Sequence, residues 1–276
     1  MESISNEQYN DFCNFLEQQS GIVLGASKQY LIVSRLSPLV SQFNLSSISE
    51  LIEKAMNVAN RQVRLEVIDA MTTNETLWFR DGYPYEMLKE TILPELAKTH
   101  TMSPIKIWSA ASSSGQEPYS IAMTCFETNI PRLKTPAGVQ IVGTDISPTM
   151  LSLCKQGMYD YIALNRGLSA ERKKMFFTKV SEQCMFVNEE IKRLVNFKLF
   201  NLLDHYGSMG KFDVIFCRNV LIYFSPQVKS KIINQLAQSL NPNGYLFLGA
   251  SESVSGLTDR FDMERHERGI VFRLKD

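Results

Sequence analysis

The sequence predicts an α/β fold: a Rossmann-like, mostly parallel sheet with helices on both faces, an inserted small antiparallel β-subdomain, and a small all-α domain in front. Residues 1–75 show helical periodicity without a strand pattern, strands and helices alternate from Ile105 onward, and the alternation lapses between residues 158 and 198. The expected domains are therefore 1–75 and 76–276, the second containing the 158–198 insert.

In the first part, Ser5-x-x-Gln8 has the form of a capping box ahead of Tyr9, Phe12, Cys13 and Leu16 at helical spacing. A second helix is expected over residues 28–43, kinked or restarted at Ser37-Pro38, because proline lacks the N–H that an interior turn uses. Ser47-x-x-Glu50 opens a third, with Ile48, Leu51, Ile52, Ala55 and Met56 on one face, and residues 61–71 continue the pattern through Val63, Val67 and Ile68. Five basic residues stand against nine acidic ones through Glu75, yet Lys28 and Arg35 lie seven apart and share a helix face. That face suits an acidic partner or plain solvation equally.

Residues 71–80 mix polar and aromatic side chains in a way that fits neither a regular helix nor a solvated linker. A helix over 85–98 follows. Ile105, Ile107 and Trp108 then make a buried strand, Ala110 to Gly115 is a loop of six small residues, and Glu117-Pro118 opens a helix where a missing N–H costs nothing. A strand over 139–144 ends in Asp145 and leads to a helix over 147–155. Further strands are expected at 196–200, 212–217, 244–248 and 270–274, with a helix at 226–240. The insert carries a charged helix over 169–177 and the apolar patches Phe176-Phe177 and 185–187, which suit an antiparallel ribbon.

Bulk properties narrow the function. Hydrophobic content of 44% and charged content of 21% are those of a soluble globular protein. A net charge of +0 gives no electrostatic reason to bind nucleic acid or an anionic membrane. No apolar run approaches the roughly 20 residues of a spanning helix, so no membrane insertion is expected. The start, Met1-Glu-Ser-Ile-Ser5, lacks the basic and apolar regions of a secretory signal. Five cysteines without paired spacing read as reduced thiols of a cytoplasmic protein, with no structural zinc. His100, His205 and His266 fall outside every motif and read as surface residues. No coiled-coil seam calls for an oligomer, so a monomer is expected.

A strand, a loop of small residues and a helix start let a ligand approach the backbone closely. An acidic residue ending the next strand takes ribose hydroxyls in such sites, and Asp145 stands there; capping the helix at Ser147 is the competing role. Asp145 lies 30 residues beyond Gly115, further than the roughly 20 of a dinucleotide fingerprint, and the loop has one glycine among its serines. Such a loop is poorly suited to pyrophosphate but admits a nucleoside without phosphate, which points to S-adenosylmethionine.

The stretches Trp108 to Ala122 (Trp-Ser-Ala-Ala-Ser-Ser-Ser-Gly-Gln-Glu-Pro-Tyr-Ser-Ile-Ala) and Phe216 to Phe224 (Phe-Cys-Arg-Asn-Val-Leu-Ile-Tyr-Phe) closely resemble the CheR-type chemotaxis receptor glutamate O-methyltransferase family. So do Thr72 to Arg80, Asp145-Ile-Ser, Asn201-Leu-Leu and Gly249-Ala-Ser-Glu252, over essentially the whole chain. The resemblance implies an S-adenosylmethionine-dependent methyltransferase domain, S-adenosylhomocysteine as product, and glutamyl methyl esters formed on the cytoplasmic helical domain of chemoreceptors. It also implies that Asn74, Thr76 and Arg80 line the cofactor and active site, with Ala110 and Glu117 beside the cofactor. Asp145 would bind the ribose with Ile146 against the adenine, Asn201 and Leu202 would hold the nucleoside, and Arg218, Asn219 and Tyr223 would close the site. Arg80 and Tyr223 are the candidate catalytic residues, for holding and orienting the substrate carboxylate. Glu252 reads as structural and Cys217 as core.

Departures from the family pattern are Gln116, where glutamate is frequent, and a second helix less basic than usual. The segment Lys179 to Cys184 is short and lacks glycine, which implies independence of a receptor C-terminal tethering peptide. A methyltransferase for another substrate, or a non-catalytic receptor-binding homologue, are the alternatives. Retention of Arg80, Asp145, Arg218, Asn219 and Tyr223 argues against the second.

Overall fold

The computed structural model describes residues 4–25, 27–267 and 269–275, so Met1 to Ser3, part of the stretch read for a secretory signal, lie outside the described residues. The chain forms two compact units. One holds the described residues up to Thr73 together with Tyr223–Lys229, and the other holds Asn74–Ile222 and the rest.

The first unit is helical. α1 (Asn6–Ser20) starts where Ser5 Oγ accepts from the Gln8 N–H and stops at Gly21, whose φ of +77° suits glycine. Only half of the capping box forms, because the Gln8 side chain donates instead to the Ser49 carbonyl and accepts from Ser49 Oγ. α2 (Gln29–Gln42) runs through Pro38 without the restart that is one of the two expected outcomes. Proline removes one N–H from the helix, while buried Ile32 and Leu36 anchor it through one face. α3 (Ile48–Met56) is capped by Ser47, and the Glu50 carboxylate accepts from both the N–H and Oγ of Ser46. α4 (Arg61–Met71) adds Val67 and Ile68 to a core of Phe12, Leu16, Ile32, Leu36, Leu51 and Ile52. Arg35 does not present a free charge: its guanidinium donates to the Met71 and Thr72 carbonyls and to Thr73 Oγ1, satisfying the end of α4.

In the second unit, α5 (Tyr83–Met87), a π-turn at Leu88–Ile92 and α6 (Leu93–Thr99) follow one another directly, starting two residues before the expected helix. Next come β1 (Ile105–Ala110), α7 (Gln116–Glu127), β2 (Val139–Asp145) and α8 (Pro148–Gln156). The insert contributes β3 (Met158–Asp160), α9 (Tyr161–Leu164), α10 (Ala170–Phe176), β4 (Phe177–Lys179), β5 (Cys184–Val187) and α11 (Glu189–Lys192). The chain closes with β6 (Val195–Leu199), β7 (Phe212–Cys217), α12 (Pro226–Ser239), β8 (Leu240–Leu248), β9 (Phe261–His266) and β10 (Gly269–Leu274).

The main sheet runs β6-β2-β1-β7-β8-β10-β9, parallel from β6 through β8, with β10 antiparallel to both its neighbours. β9 escaped sequence detection because it is an edge strand, exposed and charged, with little apolar alternation. The insert forms an antiparallel sheet in the order β3-β5-β4, of which β3 is too short to show in the sequence. Val195–Lys198, at the end of the expected insert, belong to β6 of the main sheet.

The insert grips the motif segment before α5. Trp78 donates its backbone N–H to the Arg166 carbonyl and its indole N–H to the Ala163 carbonyl, both at 3.0 Å. Its ring meets Tyr159 and Phe177 edge-on. The three histidines differ in setting. His100 is half-buried, with Nε2 3.1 Å from Asp213 Oδ1, so the surface expectation is corrected there. Its position after α6 brings it to the start of β7, which no motif signals. His205 is exposed and accepts the Gly207 N–H on Nδ1, and His266 lies on β9. All five cysteines are free thiols, and among the described residues no helix is long and apolar enough to cross a membrane.

Gly167, at φ +101°, comes so close to Trp78 that a Cβ would lie 2.2 Å from the Trp78 carbonyl oxygen. Gly167→Ala is therefore expected to lower stability by about 3 kcal/mol, through left-handed strain and the backbone clash together. Denaturant unfolding of the variant against the parent protein checks this.

Candidate active site

The carboxyl ends of β6, β2, β1 and β7 form one edge of the second unit, where ligands sit in open parallel sheets. The loop leaving β1 is tightly wound: Ala111, Ser113 and Gly115 have φ of +57°, +48° and +94°. Two of these are not glycine, so surrounding bonds must hold the loop. The Ser112 N–H donates to the Thr144 carbonyl, Tyr159 Oη to the Ser114 carbonyl and Cys154 Sγ to the Ser113 carbonyl. A Cβ on Gly115 would meet Cys154 Sγ and Tyr159 Oη at 3.0 Å.

Asp145 ends β2 as a buried carboxylate. Its Oδ2 accepts the Ser113 N–H at 2.7 Å and its Oδ1 the Ser147 N–H at 2.9 Å. The cap of α8 is supplied by Ser147 Oγ, which accepts from the Met150 N–H. Asp145 therefore ties the β1 loop to the β2 end, and half-buried Ile146 follows it. Ser113 also reaches the motif segment, donating through Oγ to the Asn74 carbonyl at 2.9 Å.

A charge network fills the next position. The Arg218 side chain, 1% exposed at the end of β7, donates Nη1 to Glu117 Oε2 at 3.1 Å. Its Nη2 meets Asp81 Oδ2 and the Arg80 carbonyl. Ser109 Oγ donates to the other Glu117 oxygen at 2.8 Å. Burial opposes the charge on Arg218, but Glu117, Tyr85 and Asp81 hold its pKa above the ordinary value. Burial likewise pushes the Glu117 carboxyl up, against the pull of Arg218. A buried ion set of this kind stands only if every member stays paired.

Arg80 contrasts with Arg218. It is half-buried, its Nη1 donates to the Glu75 carbonyl at 3.4 Å, and no carboxylate ion-pairs with it among the described residues. Asn219 follows Arg218 at φ +59°, with its N–H donated to Glu252 Oε2. Asn201 Oδ1 accepts the Leu203 N–H in an Asx turn after β6, and buried Leu202 follows. Ala110 is fully buried at the end of β1.

Ala110, Asp145, Ile146, Asn201, Leu202, Arg218 and Asn219 thus come from the ends of four adjacent strands, with Glu117 in the first turn of α7. Bonds through Ser113 and Arg218 bring Asn74 and Arg80 to the same edge. Thr76 lies between these two in the chain and is half-buried. Tyr223 groups with the helical unit, where its carbonyl accepts the Val23 N–H, and is not among these residues. Sequence reasoning missed Ser109, Ser113 and Asp81. Asp81 had only its place beside Arg80 as a signal, and Ser113 looked like one small residue among several.

The edge suits a nucleoside carrying a charged sulfur. Its loop offers backbone rather than cations, and Asn219 Oδ1 is buried without a partner among the described residues, an acceptor that a ligand N–H or O–H would satisfy. Fold and edge together define an S-adenosylmethionine-binding α/β domain. Comparison with known proteins agrees: the family described as "CheR methyltransferase, SAM binding domain" matches residues 74–270, and "CheR methyltransferase, all-alpha domain" matches residues 7–72. The chain belongs to the CheR methyltransferase family. It is 58% identical over 99% of its length to chemotaxis protein methyltransferase 1 of Vibrio cholerae, covering 98% of that protein. It is 48% identical to chemotaxis protein methyltransferase Cher2 of Pseudomonas putida, over 99% of this chain and 100% of that one. Among solved structures, the N-methyltransferase NodS from Bradyrhizobium japonicum in complex with S-adenosyl-L-homocysteine is similar at TM-score 0.39 and 14% identity. It covers 70% of this chain and 89% of that one, a likeness too slight to carry weight.

Arg218→Met would strand the buried Glu117 carboxylate and is expected to cost about 3–5 kcal/mol. Adding Glu117→Gln to it should recover part of that loss. Urea unfolding of the two single variants and the double variant measures the coupling.

Proposed function

We propose that this protein methylates glutamate side-chain carboxylates on the cytoplasmic helical domain of membrane chemoreceptors, giving glutamyl methyl esters and S-adenosylhomocysteine. The observation that carries this is the contrast between the two arginines at the strand edge. Arg218 is committed to Glu117 and Asp81, whereas Arg80 is held there by its backbone with no carboxylate ion pair among the described residues. Its guanidinium presents paired donors to the two oxygens of an incoming carboxylate. The names of the Vibrio and Pseudomonas relatives place them in chemotaxis, which supports a chemoreceptor as the substrate.

Bound S-adenosylmethionine supplies an electrophilic methyl group. Asp145 would take the ribose hydroxyls through its carboxylate, which the Ser113 and Ser147 N–H groups hold in place. Ile146, Asn201, Leu202 and Asn219 would hold the base, and Asn74, Thr76, Ala110 and Glu117 the remainder. A glutamate of pKa near ~4.3 is ionised at neutral pH, so its oxygen attacks without a general base. The work left to the protein is alignment and partial desolvation of that carboxylate. Arg80 holds it; a role for the Tyr223 hydroxyl in orienting it is what the family resemblance implies.

The working division is a helical domain over 1–75 and a catalytic domain over 76–276, acting as a monomer in the cytoplasm. The turn between β4 and β5 is four residues long, Val180 to Gln183, without glycine. This supports methylation independent of a receptor tail peptide.

Arg80→Ala and Tyr223→Phe are each expected to lower methyl transfer to receptor-rich membranes at least about tenfold, as loss of a positioning hydrogen bond in a transition state does. S-adenosylhomocysteine affinity should stay within a few-fold. Labelled methyl released as base-labile methanol is the readout, and a fully active Arg80→Ala protein removes Arg80 from the mechanism. Calorimetry with receptor tail peptides should show no binding; micromolar affinity would sink the independence of tethering.

A further inference from the structure

Glu252 receives an unusual set of bonds for a carboxylate. Its Oε2 accepts the Asn219 N–H at 2.8 Å and the Gly249 N–H at 2.7 Å, and its Oε1 accepts the Ile222 N–H at 3.3 Å. No cation ion-pairs with it among the described residues. Three backbone N–H groups converging on one anion make a nest of the kind that binds external anions, here filled by the chain's own side chain. The nest spans two adjacent parallel strands: Asn219 and Ile222 follow β7, and Gly249 and Glu252 follow β8.

The loop it closes is strained. Asn219 sits at φ +59°, outside the region most non-glycine residues adopt, and needs surrounding bonds to keep it there. Contact with the β8 end is close, since a Cβ on Gly249 would meet Asn219 Nδ2 and Glu252 Oε2 at 2.7 Å. The same asparagine carries the orphaned Oδ1 at the ligand edge.

We propose that Glu252 is a positioning residue for the cofactor: by occupying this backbone nest it holds Asn219 in the left-handed conformation that presents its side chain to the nucleoside. This rests on the assignment of Asn219 to the cofactor and not on the identity of the methyl acceptor. The test therefore uses S-adenosylhomocysteine alone, with no receptor present.

Calorimetry on the full chain should show Glu252→Ala binding S-adenosylhomocysteine about tenfold or more weakly at unchanged stoichiometry, the scale set by losing charge-assisted bonds. Glu252→Gln keeps one carbonyl oxygen for the Asn219 and Gly249 N–H groups but turns an NH₂ toward Ile222, so its affinity should fall between. Formate at tens of millimolar, about the concentration at which so small an anion would refill a vacated nest, should restore affinity to the alanine variant and leave the parent protein unchanged. Parental affinity in Glu252→Ala overturns the proposal. A drop in stoichiometry with unchanged affinity in either variant also overturns it, because that marks partial unfolding. Loss of affinity that formate does not reverse does the same. Failure of carboxylate methylation in receptor assays, with these binding results intact, would count against the substrate assignment and leave the role of Glu252 standing.

Discussion

The buried guanidinium of Arg218 is the constraint on which the ligand edge depends. It joins two separately encoded pieces: the first turn of α7 through Glu117, and the motif segment through the Arg80 carbonyl and the Asp81 carboxylate. A guanidinium can do this because its donors lie in a planar fork with several directions to serve. Lysine would bring a single point charge and could not bridge two carboxylates and a carbonyl in one plane. The desolvation cost of placing the group at 1% exposure is offset by the partners of Nη1 and Nη2, while Nε is buried without a partner among the described residues.

A second clamp acts from the opposite side of the motif segment. Trp78 hands both its N–H groups to carbonyls of the insert, and Gly167 allows the chains to touch where any Cβ would intrude. Between Trp78 and Arg218 the segment from Asn74 to Asp81 has little freedom left, although it contains no regular secondary structure before Tyr83. This explains why its sequence mixes aromatic and polar residues. The aromatic ones dock into the insert and the α/β core, whereas among the polar ones Glu75 pairs with Arg166 of the insert and the Arg80 and Asp81 positions are tied to Arg218.

Much of this was legible in the sequence, for reasons that differ by residue. Strands buried on both faces, such as β1 and β7, announce themselves as apolar runs between loops of small residues. The Ser5 and Ser47 caps were legible because capping is a local bond, but the partners of Gln8 and Glu50 were not, since those depend on which neighbour the fold supplies. β9 was invisible because a charged edge strand needs only one paired side and no apolar face. At the ligand edge, Asp145 and Arg218 stood out by position at strand ends. Ser113 and Asp81 did not, because their roles come from contacts 32 and 137 residues away in sequence.

Arg80 and Arg218 show where sequence logic stops and packing begins. Both are arginines in recognisable motifs, and nothing in their flanking residues says which one is structural. Burial decides. Arg218 is enclosed with two carboxylates and serves as a cross-link, and its own bond to the Arg80 carbonyl fixes the backbone that carries the second arginine. A fixed backbone lowers the entropy lost when a flexible side chain must hold a substrate group. The arginine tied to two carboxylates thus fixes the backbone of the one that, among the described residues, ion-pairs with none.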